Sequence, residues 1–324
     1  MLSIAAYRDL FLSHLKQEII VRDPENLYAP IDYILNLGGK RLRPVLTLMT
    51  ADLFGGKHQD ALKAAMAIEI FHNFSLVHDD IMDDAPLRRG KQTVHEKWDL
   101  NTGILSGDAM LIVAYQFFEH YPAETFKELA QLFSKTAIEV CEGQQYDVDF
   151  ETRDDVQVDH YLKMITYKTA VLVGAAMKMG AIVAKAPAED AKAIYDFGLN
   201  LGIAFQLMDD YLDAFGDPDT FGKQLGGDII ENKKTFLYLK TLENLPDAEA
   251  MQLHHLFSIS PEDTTNKIQV VKDLMISSGA AAQTQKEIEC YTQKALQILE
   301  QLSIESSKKA ILKDFAISLM NREI

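Results

Sequence analysis

Helical periodicity runs through almost the whole amino-acid sequence. Apolar residues recur every three or four positions, for example at Leu129, Phe133, Ala137 and Val140, which is the spacing of one helix face. No segment alternates apolar and polar residues over the length of a strand. The chain has 17 Gly and 9 Pro among 324 residues, which is too few for a β protein with many turns. The sequence therefore predicts an all-α fold.

Loop signals are few, and no segment has the composition of a linker or repeats with a fixed period. Turn-forming residues concentrate in five short stretches, at 36–44, 85–93, 150–156, 216–228 and 258–266. Since nothing in the sequence marks a boundary, we predict that residues 1–324 form a single domain.

The overall charge excludes one class of partner. Lys and Arg together number 32 against 48 Asp and Glu, so the formal net charge is −16. Nucleic-acid binding depends on a basic surface that contacts phosphates. A nucleic-acid partner is therefore not expected.

Cysteine content and the terminal sequence bear on location. Cys141 and Cys290 are the two cysteines, which excludes a disulfide framework and a Cys-based zinc site. Charged residues interrupt the first twenty positions, so a signal peptide is not expected. The most apolar later stretch, 169–184, is too short and too broken by Gly and Lys to span a bilayer. We predict a cytoplasmic protein without a transmembrane segment.

Two acidic clusters of the pattern DDxxD close two apolar helical runs. The first lies in HDDIMDD, which begins at His78, and the second is DDYLD, which begins at Asp209. Carboxylates four residues apart share a helix face and destabilise the helix unless something neutralises them. Mg²⁺ prefers such oxygen ligands and is often shared with substrate phosphates. A solvated acidic patch would explain one copy, but two copies favour metal binding by Asp79, Asp80, Asp83, Asp209, Asp210 and Asp213.

Basic residues lie near these clusters in the sequence. GGKRLRP begins at Gly38, and the Arg88–Arg89 pair follows the first cluster. A glycine cap followed by solvated cations would explain the first group, and ion pairs with the aspartates would explain the second. Taken together with metal, the cations indicate a site that binds a diphosphate and assists its departure.

In this combination and order, the motifs resemble those of the trans-isoprenyl diphosphate synthases, the polyprenyl synthetase family. The resemblance runs from about Leu27 to Thr235. It rests on GGKRLRP, HDDIMDDAPLRRG, YKTA, FQLMDDYLD and the GD…GKQLGGDIIENKKT stretch. The chain departs from many members at Asn232, where they have Gly. It also has no insertion within the first aspartate motif, unlike many bacterial farnesyl diphosphate synthases.

The resemblance implies an isoprenoid synthase-type helical bundle around a deep central cavity, a homodimer, and three Mg²⁺ ions when substrate is bound. The implied metal ligands are Asp79, Asp83 and Asp209, and the implied supporting carboxylates are Asp80, Asp213 and Asp228. The implied ligands of isopentenyl diphosphate are Lys40, Arg43, His72 and Arg89. The implied contacts of the allylic diphosphate are Arg88, Lys168, Lys223 and Lys233, with Thr169 and Gln206 near the reacting carbon.

The implied activity is a Mg²⁺-dependent condensation of isopentenyl diphosphate with an allylic diphosphate. The resemblance is to the short-chain type, similar to farnesyl and geranylgeranyl diphosphate synthases, with an all-trans product of fifteen or twenty carbons. The reaction proceeds by ionisation, condensation and elimination. The sequence has no recognisable side-chain base, in agreement with proton loss to the released diphosphate. A longer-chain polyprenyl diphosphate synthase is the alternative within the family.

In this family the residues upstream of the first aspartate motif form the floor of the cavity. Phe74 lies five residues before Asp79, with Ser75 and Phe71 at positions minus four and minus eight. Five helical residues rise ~7.5 Å, which places the Phe74 ring below the metal site, in the path of the growing chain. A bulky ring there favours a short product. The alternative is that Phe74 belongs only to the core.

Three other classes compete with the synthase. His72 and His78–Asp79 in an all-α chain would suit an HD-type metal-dependent phosphohydrolase, but this class leaves the second DDxxD and the basic loop unexplained. A non-catalytic partner subunit would lose one or both aspartate motifs, whereas this chain keeps both. A terpene cyclase would not need GGKRLRP or a second diphosphate pocket.

Overall fold

The computed structural model describes residues 1–217 and 225–320. The helices of the first part are α1 Ile4–Glu18, α2 Glu25–Asn36, α3 Leu42–Leu53, α4 Leu62–Met82, α5 Val94–Lys97, α6 Leu100–Gln116, α7 Ala123–Thr152, α8 Val158–Ile165, α9 Val171–Val183 and α10 Ala188–Phe215. The helices of the second part are α11 Gly227–Ile230, α12 Phe236–Asn244, α13 Asp247–Leu256, α14 Thr265–Ser277, α15 Ala280–Gln301 and α16 Ser306–Met320.

Shorter elements connect some of these helices. They are the 3₁₀ turns His58–Ala61 and Phe117–His120, the π-helical turn Thr166–Ala170, and the strands β1 Leu87–Arg88 and β2 Lys91–Gln92. The two strands pair antiparallel as a minimal hairpin. In the part of the chain that the structure describes, these four residues are the whole β content, and the prediction of an all-α fold is confirmed.

Two compact units make up the chain, and the first contains Met1–Lys135 and Ala175–Lys192. In this unit α4 packs against α3 and α6. The helix buries residues on every face, among them Met66, Ile70 and Val77, which agrees with its apolar sequence. The Thr47 hydroxyl of α3 donates a hydrogen bond of 2.9 Å to the carbonyl oxygen of Ala176, which fastens the second segment of the unit to the first.

The second unit contains Thr136–Gly174 and Ala193–Ile324. Its apolar core includes the fully buried Phe197, Leu201 and Leu207 of α10. α12 packs against α15, and α14 packs against both α11 and α13. The prediction of a single domain over residues 1–324 stays a prediction. None of the described helices is long and apolar enough to cross a membrane.

Candidate active site

The first acidic cluster lies where α4 ends. Asp79 is partly buried in the last turn, Asp83 is the exposed C-terminal cap, and Asp84 takes the left-handed conformation with φ of 47°. The amide of Asp83 donates to the carbonyl oxygen of Asp79 at 2.9 Å. These carboxylates therefore become accessible only at the C-terminal end of α4, a helix whose other residues are mostly buried.

Asp80 points the other way and is buried with an arginine. The Arg88 Nε lies 2.8 Å from both carboxylate oxygens of Asp80, and the Arg88 Nη2 lies 2.6 Å from Oδ1. A bidentate Arg–carboxylate pair is a strong, directional interaction. Ion pairs with the aspartates were one explanation of the Arg88–Arg89 pair in the sequence, and the structure shows such an ion pair at Arg88. This ion pair ties the β1–β2 hairpin to α4 and leaves Asp80 in a supporting position.

The basic loop before α3 holds a buried ion pair that sequence reasoning missed. The Arg41 Nη1 lies 2.5 Å from the Glu69 Oε1, and the two side chains are only 1% and 3% exposed. Asn73 donates to the same carboxylate at 3.1 Å, and Arg41 also donates to the carbonyl oxygen of Leu35. A charged Glu within an apolar helical run is the signal that could have revealed this pair, because a buried carboxylate requires a partner.

Four arginines act on the charge of one histidine, His72. Burial lowers the pKa of His72 well below its ordinary value, and the positive charges of Arg43, Arg89, Arg88 and Arg41 lower it further. The imidazole is therefore neutral at pH 7. Such a concentration of positive charge next to a neutral donor suits an anion with several oxygens.

Arg43 and Arg89 differ in their hydrogen-bond partners. Burial lowers the pKa of Arg43, and its Nε has no hydrogen-bond partner among the described residues. Arg89 donates to the carbonyl oxygen of Gly38. A Cβ on Gly39 would come within 2.8 Å of the Arg89 guanidinium, so glycine is what allows the loop to approach the arginine. The other predicted ligand of this loop, Lys40, is exposed.

Aromatic rings line α4 upstream of the acidic cluster. The centroid of the Phe74 ring lies 4.8 Å from that of His78 and 5.5 Å from that of Phe71, which in turn lies 5.1 Å from that of Phe133. The Ser75 hydroxyl donates to the carbonyl oxygen of His72 at 2.9 Å, so it is satisfied by the backbone of its own helix. We call Phe71, Phe74, His78 and Phe133 the ring cluster of α4. Phe74 is thus held by ring contacts one to two turns below Asp79.

In the second unit, a π-helical turn presents Lys168. The Lys168 Nζ lies 2.5 Å from the Asp147 Oδ2 of α7. A Cβ on Gly143 would come within 2.2 Å of the Lys168 backbone nitrogen, so α7 can approach the turn only because this residue is glycine. Single π-helical turns interrupt α-helices frequently at functional sites, and neither this turn nor Asp147 was predicted from the sequence.

Thr169 begins a hydrogen-bonded chain that ends on the second acidic cluster. Its hydroxyl donates to the Gln206 Oε1 at 3.1 Å, and the Gln206 Nε2 donates to the Asp210 Oδ1 at 3.0 Å. Tyr161 donates to the other oxygen of Asp210. The structure thus brings together the predicted residues Thr169, Gln206 and Asp210, and adds Tyr161, which sequence reasoning missed.

Negative charge is concentrated around Asp210. Burial raises the pKa of Asp210 to about 8, and the charge of Asp228 and then that of Asp209 add to the increase. Asp213 accepts a hydrogen bond of 3.0 Å from the amide of Asp228. Asp210, Asp213 and Asp228 line one pocket together with Lys233. Lys223 lies outside the described residues.

This donor set fits a divalent cation. A buried carboxylate with other carboxylates close by is stabilised in its charged form by an ion that offsets the negative charge. Hard oxygen ligands suit Mg²⁺ among the common divalent ions. The chemistry of the residues is therefore compatible with the Mg²⁺ that the sequence predicts.

Comparison with known proteins gives a consistent result. The sequence model of the polyprenyl synthetase family matches residues 24–275. A geranylgeranyl diphosphate synthase from Sulfolobus acidocaldarius is 44% identical over 225 residues, which are 68% of this chain and 68% of that protein. A geranylfarnesyl diphosphate synthase from Natronomonas pharaonis is 39% identical over 267 residues, 77% of this chain and 78% of that protein.

Solved structures agree with the sequence comparisons. A crystal structure of a geranylgeranyl pyrophosphate synthase superimposes with a TM-score of 0.96 at 56% identity, and the match covers 100% of each chain. The family match and the named relatives together define a prenyltransferase. The chain belongs to the polyprenyl synthetase family. The predicted isoprenoid synthase-type fold and the predicted short-chain prenyltransferase are confirmed.

Proposed function

We propose that the chain condenses isopentenyl diphosphate with an allylic diphosphate to make the twenty-carbon product, geranylgeranyl diphosphate. The observation that carries this proposal is the 56% identity to a geranylgeranyl pyrophosphate synthase over the full length of both chains. The sequence prediction also includes a fifteen-carbon product. The geranylfarnesyl diphosphate synthase relative supports a slightly longer product as a second candidate.

The basic cluster supports binding of isopentenyl diphosphate. Arg43 and Arg89 supply charge, the neutral His72 supplies a ring nitrogen, and the exposed Lys40 adds a point charge. Arginine forks match the geometry of phosphate oxygens. These residues orient the nucleophilic double bond by holding the far end of the substrate, since an oriented pair reacts faster than free reactants.

The aspartates and lysines support ionisation of the allylic diphosphate. The proposed ligands of Mg²⁺ are Asp79, Asp83 and Asp209, and the ions supply charge that stabilises the leaving diphosphate. Lys168 and Lys233 add fixed positive charge for the same group, while Thr169 and Gln206 are held by hydrogen bonds. Arg88 contributes through the Asp80 pair.

The reaction then needs no side-chain nucleophile. The allylic C–O bond breaks, and the double bond of isopentenyl diphosphate forms a C–C bond to the allylic cation. A proton leaves the adjacent carbon for the released diphosphate. Apolar walls such as the ring cluster of α4 keep water from quenching the cation.

A direct assay tests this function. We expect incubation with isopentenyl diphosphate and each allylic starter, followed by dephosphorylation, to yield mainly the twenty-carbon alcohol. Reactions without isopentenyl diphosphate serve as the control. Phosphate release from nucleotides in that control would support a phosphohydrolase, and a cyclic hydrocarbon from one substrate would support a cyclase. Either result would overturn the proposal.

Phe74→Ala is expected to lengthen the product. The ring is nearly buried and packs on Phe71 and His78, so its removal opens space five residues below Asp79. Chain-length analysis should show a shift by one or more five-carbon units. Phe11→Leu is the control, because Phe11 is a fully buried ring of the same unit that lies on α1. An unchanged product from Phe74→Ala would show that the floor lies elsewhere.

A homodimer is proposed as well. Leu105 and Ile112 lie seven residues apart on one face of α6, and they are 59% and 60% exposed. Apolar side chains of this size at helix spacing support burial against a second copy. Sedimentation velocity should show a dimer for the wild type and a monomer for Leu105→Asp, while Met251→Asp, at a 72% exposed position of α13, should stay dimeric. A monomeric wild type would contradict the proposal. The cytoplasmic location stays a prediction.

A further inference from the structure

One group of potential metal ligands lies outside the residues assigned above. Asp84, His95 and Glu96 each offer a ligand atom, and these atoms all lie within 4.8 Å of one another. All three residues belong to the first unit. Asp84 follows α4, whereas His95 and Glu96 are neighbours on α5. Two elements therefore converge on one cluster of an imidazole and two carboxylates.

His95 is the feature that points to a ligand. Its side chain is only 8% exposed, and neither ring nitrogen has a hydrogen-bond partner within residues 1–217 and 225–320. A buried polar group without a partner costs about 1–3 kcal/mol, so such groups require an explanation. The His95 Nε2 lies 4.0 Å from the Glu96 Oε1, too far for a hydrogen bond.

That separation suits two ligands of one ion. Zn–N and Zn–O distances are about 2.0–2.2 Å, so two ligand atoms of a tetrahedral ion lie roughly 3.4 Å apart. The present 4.0 Å needs only a small further approach. Asp84 and Glu96 are exposed, so small rotations of their side chains complete the approach. Two carboxylates held this close repel each other unless a cation lies between them.

The backbone around the cluster is held in place by hydrogen bonds. The Thr93 hydroxyl donates to the carbonyl oxygen of Ala85 at 2.8 Å, and the Thr93 amide donates to that of Pro86 at 3.2 Å. These bonds join the residues after Asp84 to the start of α5. α6 packs beside the histidine, because a Cβ on Gly103 would lie in ordinary van der Waals contact, 3.5 Å from the His95 Cβ.

The only nearby cation on α5 has another partner. The Lys97 Nζ lies 3.7 Å from the centroid of the Tyr33 ring and 4.7 Å from that of Trp98. Cation–π contacts of this kind occupy the ammonium group. The ammonium group of α5 therefore lies against two aromatic rings.

We propose that Asp84, His95 and Glu96 form a binding site for a borderline divalent metal ion of the Zn²⁺ class. An imidazole nitrogen favours such an ion over Mg²⁺, which prefers oxygen ligands. Three protein ligands leave a fourth position for water. The ion fastens the segment after α4 to α5, and this role does not depend on the proposed substrate or product.

Zinc binding to the full-length protein tests the proposal. Titration with Zn²⁺ in millimolar Mg²⁺, without substrate, should show one bound Zn²⁺ per chain. We expect His95→Gln to weaken its affinity by more than about tenfold, since even lost supporting contacts cost that much. Anomalous diffraction at the zinc edge should place the ion beside a His95 nitrogen. Glu96→Gln, at an exposed position, provides a second variant that does not disturb a buried side chain.

Asp79→Asn is the matched control, because it removes a carboxylate of the proposed Mg²⁺ site and leaves the three ligands intact. This variant should keep the zinc affinity. Three results would each overturn the proposal: no zinc binding in the presence of Mg²⁺, unchanged affinity in both His95→Gln and Glu96→Gln, or loss of binding in Asp79→Asn alone. The last result would place the ion in the acidic cluster of α4.

Discussion

Asp79→Ala and Asp209→Ala should each lower kcat on the order of a thousandfold while the fold stays intact. Each change removes a proposed ligand of the ions that stabilise the departing diphosphate, and groups that stabilise developing charge are the largest contributors to many rate enhancements. Initial rates at saturating isopentenyl and allylic diphosphate measure the effect. Circular dichroism checks that both variants remain helical.

The control for this prediction is an aspartate far from either cluster in sequence. Asp314 is exposed on α16, and Asp314→Ala should keep the wild-type rate. Activity should also require free Mg²⁺ and should disappear on chelation. If Asp79→Ala and Asp209→Ala both stayed near the wild-type rate, the assignment of the metal ligands would be wrong.

Glu69→Ala should lower the free energy of unfolding by about 3–5 kcal/mol. The change leaves the Arg41 guanidinium buried without its carboxylate, and a buried charge that loses its partner is strongly destabilising. Asn73 also loses one of its hydrogen-bond acceptors. Denaturant unfolding monitored by circular dichroism gives the shift in midpoint from which the loss is obtained.

Two comparisons separate the buried pair from a general effect of losing a carboxylate. Glu243→Ala breaks a more exposed pair with Lys240 on α12 and should change stability by less than about 1 kcal/mol. Replacing Arg41 and Glu69 together by Met should cost less than the sum of the single changes, since neither charge is left alone. A loss from Glu69→Ala as small as that from Glu243→Ala would contradict the buried-pair interpretation.

Much of the fold was predictable because its cause is local. The apolar periodicity that predicts an all-α fold corresponds to long helices such as α4 and α10. Both DDxxD clusters lie near the ends of these helices, as the sequence indicated. The π-helical turn Thr166–Ala170 has no such local signal, and it lies where α7 approaches this segment closely at Gly143.

Partners across the fold were the part that spacing could not reveal. The sequence placed Arg88 and the aspartates close together along the chain but could not choose between an ion pair and solvated charges. The position of Glu69 in an apolar run signals a buried carboxylate, but the sequence could not identify Arg41, 28 residues away, as its partner. Pairs such as Lys168 with Asp147 likewise depend on which helices pack side by side.

The sequence by itself therefore determined the helical class, the family and the identity of the acidic and basic motifs. These follow from periodicity and from residue type at fixed spacing, which are properties of a helix read along one chain. Tertiary structure alone decided which charges are paired and which pKa values are shifted from their ordinary values. It also decided that His95 lies close to Asp84. Burial and the dielectric environment depend on residues distant in sequence, so these properties appear only when the helices pack.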